Sequence, residues 1–357
     1  MIQLLNEWYH RHFTNPQVAI LAFLLLLGAA ILFFIGDIIA PLMAAVIIAY
    51  LLDGAVNALI RIKVPRLIAL SLTFSLFVLF LMVVIFILAP LLLRQGIQFV
   101  QEIPGMFATG QQLLMQLPDK YPTLISEQQV SELLQGIRSQ ITGFSQQVVS
   151  FSLSSVSDLI TFMVYLVVVP LLTFFFLKDK KKILTWFSGF MPRDRKLVTQ
   201  VWQEMNGKIA GYVRGKFAEI VIVWSVTFIT FLVLGLNYAA LLSFAVGISV
   251  LIPYVGAAIV TLPVVIVAYF QWGFSTEMLY VFIAYSVIQF LDGNLLVPFL
   301  FSEMVNIHPA AIIVAVLLFG GLWGIWGVFF AIPLATLIHA VINSWPKPSS
   351  ETVAQET

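Results

Sequence analysis

The chain has 357 residues, of which 61% are hydrophobic and only 10% are charged. Soluble domains carry about 25% charged residues, so this composition excludes an ordinary soluble protein. Apolar runs of more than about 18 residues predict an all-α polytopic membrane protein embedded in a lipid bilayer. A net charge of +1 gives no reason to expect nucleic acid as a partner, and the absence of cysteine excludes disulfides, thiol catalysis and a cysteine metal site.

The first part of the chain, residues 1–93, is predicted to form three transmembrane helices. Three apolar runs are each long enough to cross a membrane: about 17–35, 38–60 and 67–93. We expect a tight turn at Gly36-Asp37, between the first two runs. The first run is too long for the core of a cleaved signal peptide and lacks a small-residue cleavage site, so we expect it to be retained.

Residues 94–154 are polar, rich in Gln and Ser, and are predicted to form an extracytoplasmic helical hairpin. One apolar stripe runs from 97 to 117 with an interruption at Pro104-Gly105, and a second stripe extends from 130 to 148 at helical spacing. The apolar face must bury against itself, the membrane surface or a neighbouring subunit. Because the second stripe is so apolar, we expect it to hold subunits together in a homo-oligomer.

A fourth transmembrane helix is predicted at 155–177, followed by a basic cytoplasmic amphipathic segment at 178–216. Gly207, Gly211 and Gly215 lie four residues apart in this segment. They form either a ridge for close helix packing or part of a solvated, lipid-facing helix. The loops at 61–66 and 178–216 carry 13 of the 18 Lys and Arg residues. The positive-inside rule therefore predicts a multi-pass protein in which these loops and the N- and C-termini lie on the cytoplasmic side.

The C-terminal transmembrane half, 217–345, is predicted to contain broken helices, which brings the total to about eight transmembrane helices, some broken or re-entrant. A short polar tail, 346–357, is expected to be disordered. The last apolar segment, 308–343, would measure about 54 Å as one helix against a hydrocarbon core of about 30 Å. It therefore either breaks or folds into two half-helices. The residues expected at helix breaks are Pro253, Tyr254 and Gly256, with a second break at Pro263, and then Gly320, Gly321, Gly324 and Gly327.

Asp292 is the first candidate for a functional residue. The sequence from 217 to 346 contains neither Lys nor Arg, and Asp292 has apolar residues on both sides. A carboxylate at membrane depth costs about 2.5–3.5 kcal/mol on insertion scales, so it is expected to face a cavity, a partner or an ion. Asn294 and the carbonyls freed by Gly293 and Pro298 could supply further oxygen ligands. The alternative is a carboxylate at a helix end, at headgroup level.

From the motifs we expect neither an enzyme nor a bound cofactor or metal. There is no Gly-rich loop ending in Lys-Ser or Lys-Thr and no His-Glu-x-x-His. Gly247-Ile248-Ser249-Val250 is faintly similar to a serine intramembrane protease, with His308 or His339 as base, but it fits a helix-packing Gly-Ser pair better. Broken helices around one lone carboxylate are typical of a secondary transporter for a small molecule or an ion. The alternative is a non-transporting oligomeric membrane scaffold or channel-like protein whose kinks serve packing.

Several short motifs in the second half of the chain occur together in one known family. They are Tyr212-Val213-Arg214-Gly215-Lys216, Leu251-Ile252-Pro253-Tyr254-Val255-Gly256, Asp292-Gly293-Asn294-Leu295-Leu296-Val297-Pro298, His308-Pro309, and Gly320-Gly321-Leu322-Trp323-Gly324 with Ala331-Ile332-Pro333. The chain thus resembles the autoinducer-2 exporter family, and more narrowly the PerM-type permeases of bacteria. The resemblance implies an oligomeric inner-membrane permease whose relatives are linked to autoinducer-2 export or sodium/proton antiport. It adds His308 and Pro309 to the transport candidates and marks Arg214-Gly215 as a cytoplasmic motif.

Overall fold

The computed structural model describes residues 16–116, 156–190, 196–253, 255–301 and 308–344, with a few isolated positions between 118 and 136. These residues are almost entirely helical and include no strand, which confirms the all-α prediction. Most of the second stripe of the predicted hairpin, the tail 346–357 and Tyr254 lie outside the described residues, but Leu134 of that stripe is described and is buried. Within the described part, six helices are long and apolar enough to cross a membrane: Ala40–Arg61, Arg66–Gln112, Phe162–Gly189, Val198–Val233, Val255–Trp272 and Thr276–Phe301.

Large apolar side chains cover the outside of these helices. On the second of them Leu72, Leu76 and Leu79 are 56%, 64% and 59% exposed. A monomeric soluble protein rarely exposes contiguous apolar surface of this kind. The exposed faces are therefore those of a protein surrounded by lipid.

The first helix, α1 (Pro16–Arg61), is continuous over 46 residues and measures about 69 Å at 1.5 Å per residue. The predicted turn at Gly36-Asp37 is therefore wrong. A single Gly costs a helix only about 1 kcal/mol and a single Asp costs less, so neither residue forces the chain to reverse. The prediction of a cytoplasmic N-terminus relied on that turn and loses this support.

The next helices run on past the expected end of the third span. Helix α2 (Arg66–Val83) passes through a π-helical turn at Val84–Leu88 into α3 (Ala89–Met115). Pro104 lies inside α3, so the predicted interruption at Pro104-Gly105 is wrong. One proline removes a single backbone hydrogen bond, and the helix continues on both sides of it. The first apolar stripe of the predicted hairpin (97–117) therefore lies on the same continuous helical segment as the predicted third transmembrane span (67–93).

Helix α5 (Lys196–Val233) is the central element, because it contacts α1 and most of the C-terminal half. Helix α4 (Val156–Gly189), kinked at Asp179, packs beside α1, where the Asp53 carboxylate accepts from Lys180 Nζ at 3.0 Å. Of the predicted glycine ridge on α5, Gly215 is tightly packed, since an added Cβ would lie 2.9 Å from the Phe301 ring, whereas Gly207 has no neighbour within 4 Å. The prediction of close helix packing is therefore confirmed at Gly215 but not at Gly207.

The segment after α5 folds into a helical hairpin, called here the first hairpin. It consists of α6 (Ala239–Ser249), a break and α7 (Val255–Trp272). The two arms meet so closely at the break that a Cβ on Gly256 would overlap the Ser249 carbonyl. At the open end Gln271 accepts a hydrogen bond from the Asn237 N–H and donates one to the Gly235 carbonyl, both at 2.8 Å. Pro263 lies inside α7, so the second break predicted there is wrong.

Helix α8 (Thr276–Leu291) leads through a second π turn at Asp292–Leu296 into the short α9 (Val297–Phe301). Each π turn begins six residues before a proline, from Val84 to Pro90 and from Asp292 to Pro298. Proline has no N–H and its ring clashes with the carbonyl four residues earlier. The wider turn, closed by the i→i+5 bonds from Ala89 to Val84 and from Val297 to Asp292, accommodates the ring without ending the helix.

The last apolar segment forms the second hairpin, α10 (Pro309–Ser344), which is broken at Trp323 and Gly324. This confirms the expected break and favours the two half-helices. The arms are in contact, since a Cβ on Gly327 would overlap the Phe319 carbonyl and Ala315, Phe319 and Ala331 form one buried cluster. Gly324 has φ +59° and open space around it, so its backbone angle, not crowding, requires glycine.

The two hairpins open at opposite ends of α5. The ends of the first hairpin lie beside Gly235 and Asn237, just after the C-terminus of α5. The end of the second hairpin, Ala340 and Val341, packs on Val201 and Met205 near the N-terminus of α5. The contact at Val201 and Met205 and the contact at Gly235 are therefore about 48 Å apart along the axis of α5, at 1.5 Å per residue. Each hairpin therefore points its closed end toward the middle of α5.

Candidate functional site

A cavity of about 600 Å³ lies halfway along α5, between the two hairpins and the second π turn. One part of its wall is polar and consists of Tyr212, Lys216, Glu219, Gln289 and Asp292. The rest of the wall is apolar and consists mainly of Ile252, Pro253, Val297, Pro298, Phe301, Ile312 and Ile332. A mostly apolar pocket with a few converging polar groups is the usual form of a small-molecule site.

Lys216 is the cation of this site and is only 4% exposed. Its Nζ donates to Glu219 Oε2 at 2.7 Å and to the Val250 carbonyl at 2.8 Å. Val250 is the C-cap of α6, where carbonyls lack helical partners and the helix dipole favours a positive charge. The Phe301 ring lies 5.4 Å from the same Nζ. One ammonium group thus ties α5 to the break of the first hairpin and to α9.

Glu219 and Asp292 place two carboxyl groups near this single ammonium. Glu219 is 2% exposed and makes the direct ion pair, three residues along α5 from Lys216. Asp292 is within electrostatic range of both Lys216 and Glu219, although it forms no ion pair with Lys216 within 4.0 Å. The cation that the sequence around Asp292 lacks is therefore supplied through the fold by α5.

Asp292 presents a buried atom that the described residues leave without a partner. Its Oδ1 accepts no hydrogen bond, and Gln289 Nε2, three residues earlier on the same helix, makes none of acceptable length and angle. Buried polar atoms are nearly always paired with protein groups, water or a ligand. A free acceptor and a free donor side by side on one cavity wall favour an occupant with both hydrogen-bonding or charged groups.

The second π turn explains how these groups reach the cavity. The turn starts at Asp292 itself, and Gly293, Val297 and Pro298 line the cavity after it. π turns widen a helix locally and are frequent at functional sites. Asn294, in contrast, is exposed, and its amide donates to the Phe290 carbonyl of its own helix at 2.9 Å. Its predicted oxygen ligand therefore does not line the cavity.

The other predicted residues lie at the edges of the site or outside it. His308 is exposed, and its Nδ1 accepts from the Ala310 N–H at 3.2 Å at the start of α10, which Pro309 opens. Pro253 lines the cavity and Gly256 closes the first hairpin just below it. Arg214 is exposed and packs on Gly54 of α1, where an added Cβ would lie 3.0 Å from the Arg214 Cδ.

The glycines of the second hairpin are not part of the cavity wall. Gly320 and Gly327 lie where its two arms touch, and Gly321 is exposed with nothing within 4 Å of an added Cβ. Gly247, from the motif similar to a serine protease, packs on Trp224 of α5, and the Ser249 hydroxyl donates to the Val246 carbonyl at 2.7 Å. This geometry fits the helix-packing interpretation of that pair.

Sequence reasoning missed Lys216, Glu219 and Tyr212 as site residues. Lys216 is the last residue of the basic segment 178–216, and Glu219, three residues later, is far from Asp292 in the sequence. The available signal was the spacing, because Lys216 and Glu219 are three apart on a helix and can neutralise each other there. Tyr212 is buried with its hydroxyl donating to the Phe329 carbonyl at 3.2 Å and its ring 5.8 Å from that of Phe301.

Comparison with known proteins gives a consistent result along the whole chain. The family model described as AI-2E family transporter matches residues 21–347. A protein of Escherichia coli strain K12 that carries the name permease PerM is 46% identical over 346 residues, which cover 97% of this chain and 98% of that protein. The Bacillus subtilis protein named transport protein YueF is 26% identical over 343 residues, and YrrI of the same organism is 25% identical over 315 residues, with 92% and 86% of each chain covered.

Proposed function

Because this chain belongs to the AI-2E transporter family, we propose that it is a gradient-driven secondary transporter of the bacterial inner membrane that exports a small molecule or exchanges ions. The observation that carries this proposal is the cavity, where the unpaired Asp292 oxygen lies beside the buried Lys216–Glu219 pair. A scaffold protein has no need for an open cavity of about 600 Å³ with an unsatisfied carboxyl group.

Asp292 is the proposed coupling residue. Its carboxyl group takes a proton in one step of the cycle and releases it, or exchanges it for another cation, in a later step. Gln289, one turn away, supplies a neutral partner for the occupant. The Val250 carbonyl, which also lines the cavity, is already engaged by Lys216.

The two hairpins are the proposed gates. Broken helices that meet at a binding site recur in secondary transporters, where rearrangement of one element against another opens the site to alternate sides. Here the hairpins open at opposite ends of α5, and both contribute residues to the cavity. We assign the end near Val201 and Met205, which carries the basic segment and the end of α10, to the cytoplasm. On this assignment the C-terminus is cytoplasmic and the predicted hairpin at 94–154 lies on the other side.

The test is transport by purified protein in liposomes. A pH-sensitive dye inside the vesicles reports proton movement when a gradient of Na⁺, Li⁺ or K⁺ is imposed. Asp292→Asn keeps the size of the side chain but cannot exchange a proton, so we expect it to abolish coupled movement. Asp292→Glu should retain part of the rate with a shifted pH dependence.

Glu277→Gln is the matched control, because Glu277 lies on the same helix, is exposed and is not part of the cavity wall. It should transport like the native protein. Wild-type rates and pH dependence in Asp292→Asn would rule out Asp292 as the coupling site. Metabolite profiling of a deletion strain against an overproducing strain would then identify any exported molecule.

A further inference from the structure

We infer that Lys216 is a fixed counter-charge that sets the number of exchangeable positive charges in the cavity at one. This inference rests on the proposed transport function and extends it to the charge stoichiometry and to the class of cation. It is carried by the charged groups of the cavity wall and by their burial.

The charges of the described lining residues are few enough to count. Lys216 contributes +1, while Glu219 and Asp292 contribute −1 each when ionised. The remaining titratable lining residue is Tyr212, whose hydroxyl is a hydrogen-bond donor to Phe329. The lining residues from the first hairpin and from α10 carry no titratable side chain. The fully ionised wall therefore has a net charge of −1.

Because the charged groups are buried, their net charge determines how many positive charges the cavity takes up. Lys216 and Glu219 are 4% and 2% exposed and are joined at 2.7 Å, so they neutralise each other within the protein. Asp292 is left as the unmatched charge. An uncompensated buried charge is strongly unfavourable, so the closed cavity is stable when it holds one additional positive charge. A proton on a carboxyl group or a monovalent cation supplies it equally well.

Exchange is then electroneutral. When one monovalent cation enters, one proton leaves the wall, and the total charge carried through the closed states is unchanged. A divalent cation would leave the closed cavity with an excess of +1, so monovalent cations are preferred. Without Lys216, the wall would carry −2, and the cavity would take two protons, two monovalent cations or one divalent cation.

Proton counting in detergent solution tests this without any flux measurement. Na⁺, Li⁺, K⁺, methylammonium, Mg²⁺ and Ca²⁺ are added separately to weakly buffered purified protein, and released protons are counted per chain. We expect about one proton for at least one monovalent cation with the native protein, and about two for Lys216→Gln with the divalent cations now effective. No proton release from the native protein with any cation overturns the inference.

A second variant tests the inference even if Lys216→Gln does not fold. Lys216→Gln combined with Glu219→Gln restores a net charge of −1, so it should again release about one proton. Lys182→Gln is the control for loss of a lysine, because Lys182 makes an exposed pair with Asp179 outside the cavity. Two protons from the double variant, or one from Lys216→Gln, would overturn the inference.

Flux measurements in liposomes separate this inference from the proposed function. With the membrane potential clamped by K⁺ and valinomycin, exchange of Na⁺ or Li⁺ for protons by the native protein should be insensitive to the potential. Lys216→Gln should stay insensitive, because two positive charges then exchange for two protons, but it should also exchange Mg²⁺ or Ca²⁺ for protons. If Asp292→Asn abolishes flux while Lys216→Gln does not exchange divalent cations, the transport proposal stands and the counter-charge is refuted. If Asp292→Asn transports normally, the coupling role of Asp292 fails whatever the charge count.

Discussion

The buried pair of Lys216 and Glu219 makes a quantitative prediction about stability. Replacing Lys216 with Met removes the 2.7 Å bond to Glu219 and the 2.8 Å bond to the Val250 carbonyl, and leaves Glu219 buried without a cation. A charge-assisted hydrogen bond contributes about 1.5–3 kcal/mol, and breaking one side of a buried pair costs about 3–5 kcal/mol. We expect Lys216→Met to lower the free energy of unfolding by an amount in the latter range.

Glu219→Leu should cost less than Lys216→Met. Lys216 then keeps the Val250 carbonyl and the Phe301 ring, and Asp292 remains as a nearby opposite charge, so about one charge-assisted bond of 1.5–3 kcal/mol is lost. The double variant leaves neither charge buried alone. Buried pairs replaced by apolar residues are often neutral or better, so its cost should be smaller than that of Lys216→Met.

The assay is unfolding of purified protein by SDS, followed by far-UV circular dichroism, for the two single variants and the double variant. The double-mutant cycle isolates the coupling energy between the two residues. Lys182→Met is the control, because its pair with Asp179 has an 85% exposed lysine, and exposed pairs contribute about 0–1 kcal/mol. A cost for the double variant equal to the sum of the two single costs would refute the reasoning.

Two further predictions concern backbone geometry and orientation. Gly324→Ala should destabilise the protein by about 1–3 kcal/mol, because φ +59° with ψ −135° strains any L-residue. The control is Gly321→Ala, which has open space and ordinary backbone angles and should unfold at the wild-type SDS midpoint. Equal midpoints for the two variants would contradict the strain at Gly324. Single cysteines added to the cysteine-free chain should show that Thr109→Cys reacts with an impermeant thiol reagent from outside intact cells and Thr185→Cys only after the membrane is opened. The reverse labelling would invert the orientation.

The membrane class and the breaks within the two hairpins were predictable because they depend on local sequence. An apolar composition fixes the first, and the backbone demands of Gly324 and of the close contact at Gly256 act within a few residues. The turn predicted at Gly36-Asp37 is wrong because one Gly and one Asp together weaken a helix by less than about 2 kcal/mol, which is too little to end it. A residue type that is common in turns is not for that reason able to end a helix.

The polar wall was predictable only in part. Asp292 stands out in the sequence because no Lys or Arg lies near it. Lys216 does not stand out, because it follows a run of surface cations and becomes a cavity residue only when α5 packs against the first hairpin and α9. The orientation of Asn294 depends on a hydrogen bond within its own helix, which competes with the cavity for its amide.

The second π turn also determines which side chains share a face of the helix. Successive residues of an α-helix are rotated by about 100°, so Gln289 and Phe301 would point about 120° apart, and Asp292 and Phe301 about 180° apart. The π turn takes up one extra residue, which reduces these angles to about 20° and 80°. All three side chains line the cavity. If the same number of residues formed a regular α-helix without the π turn, the Phe301 ring would lie on the far side of the helix and Lys216 would lose its aromatic contact.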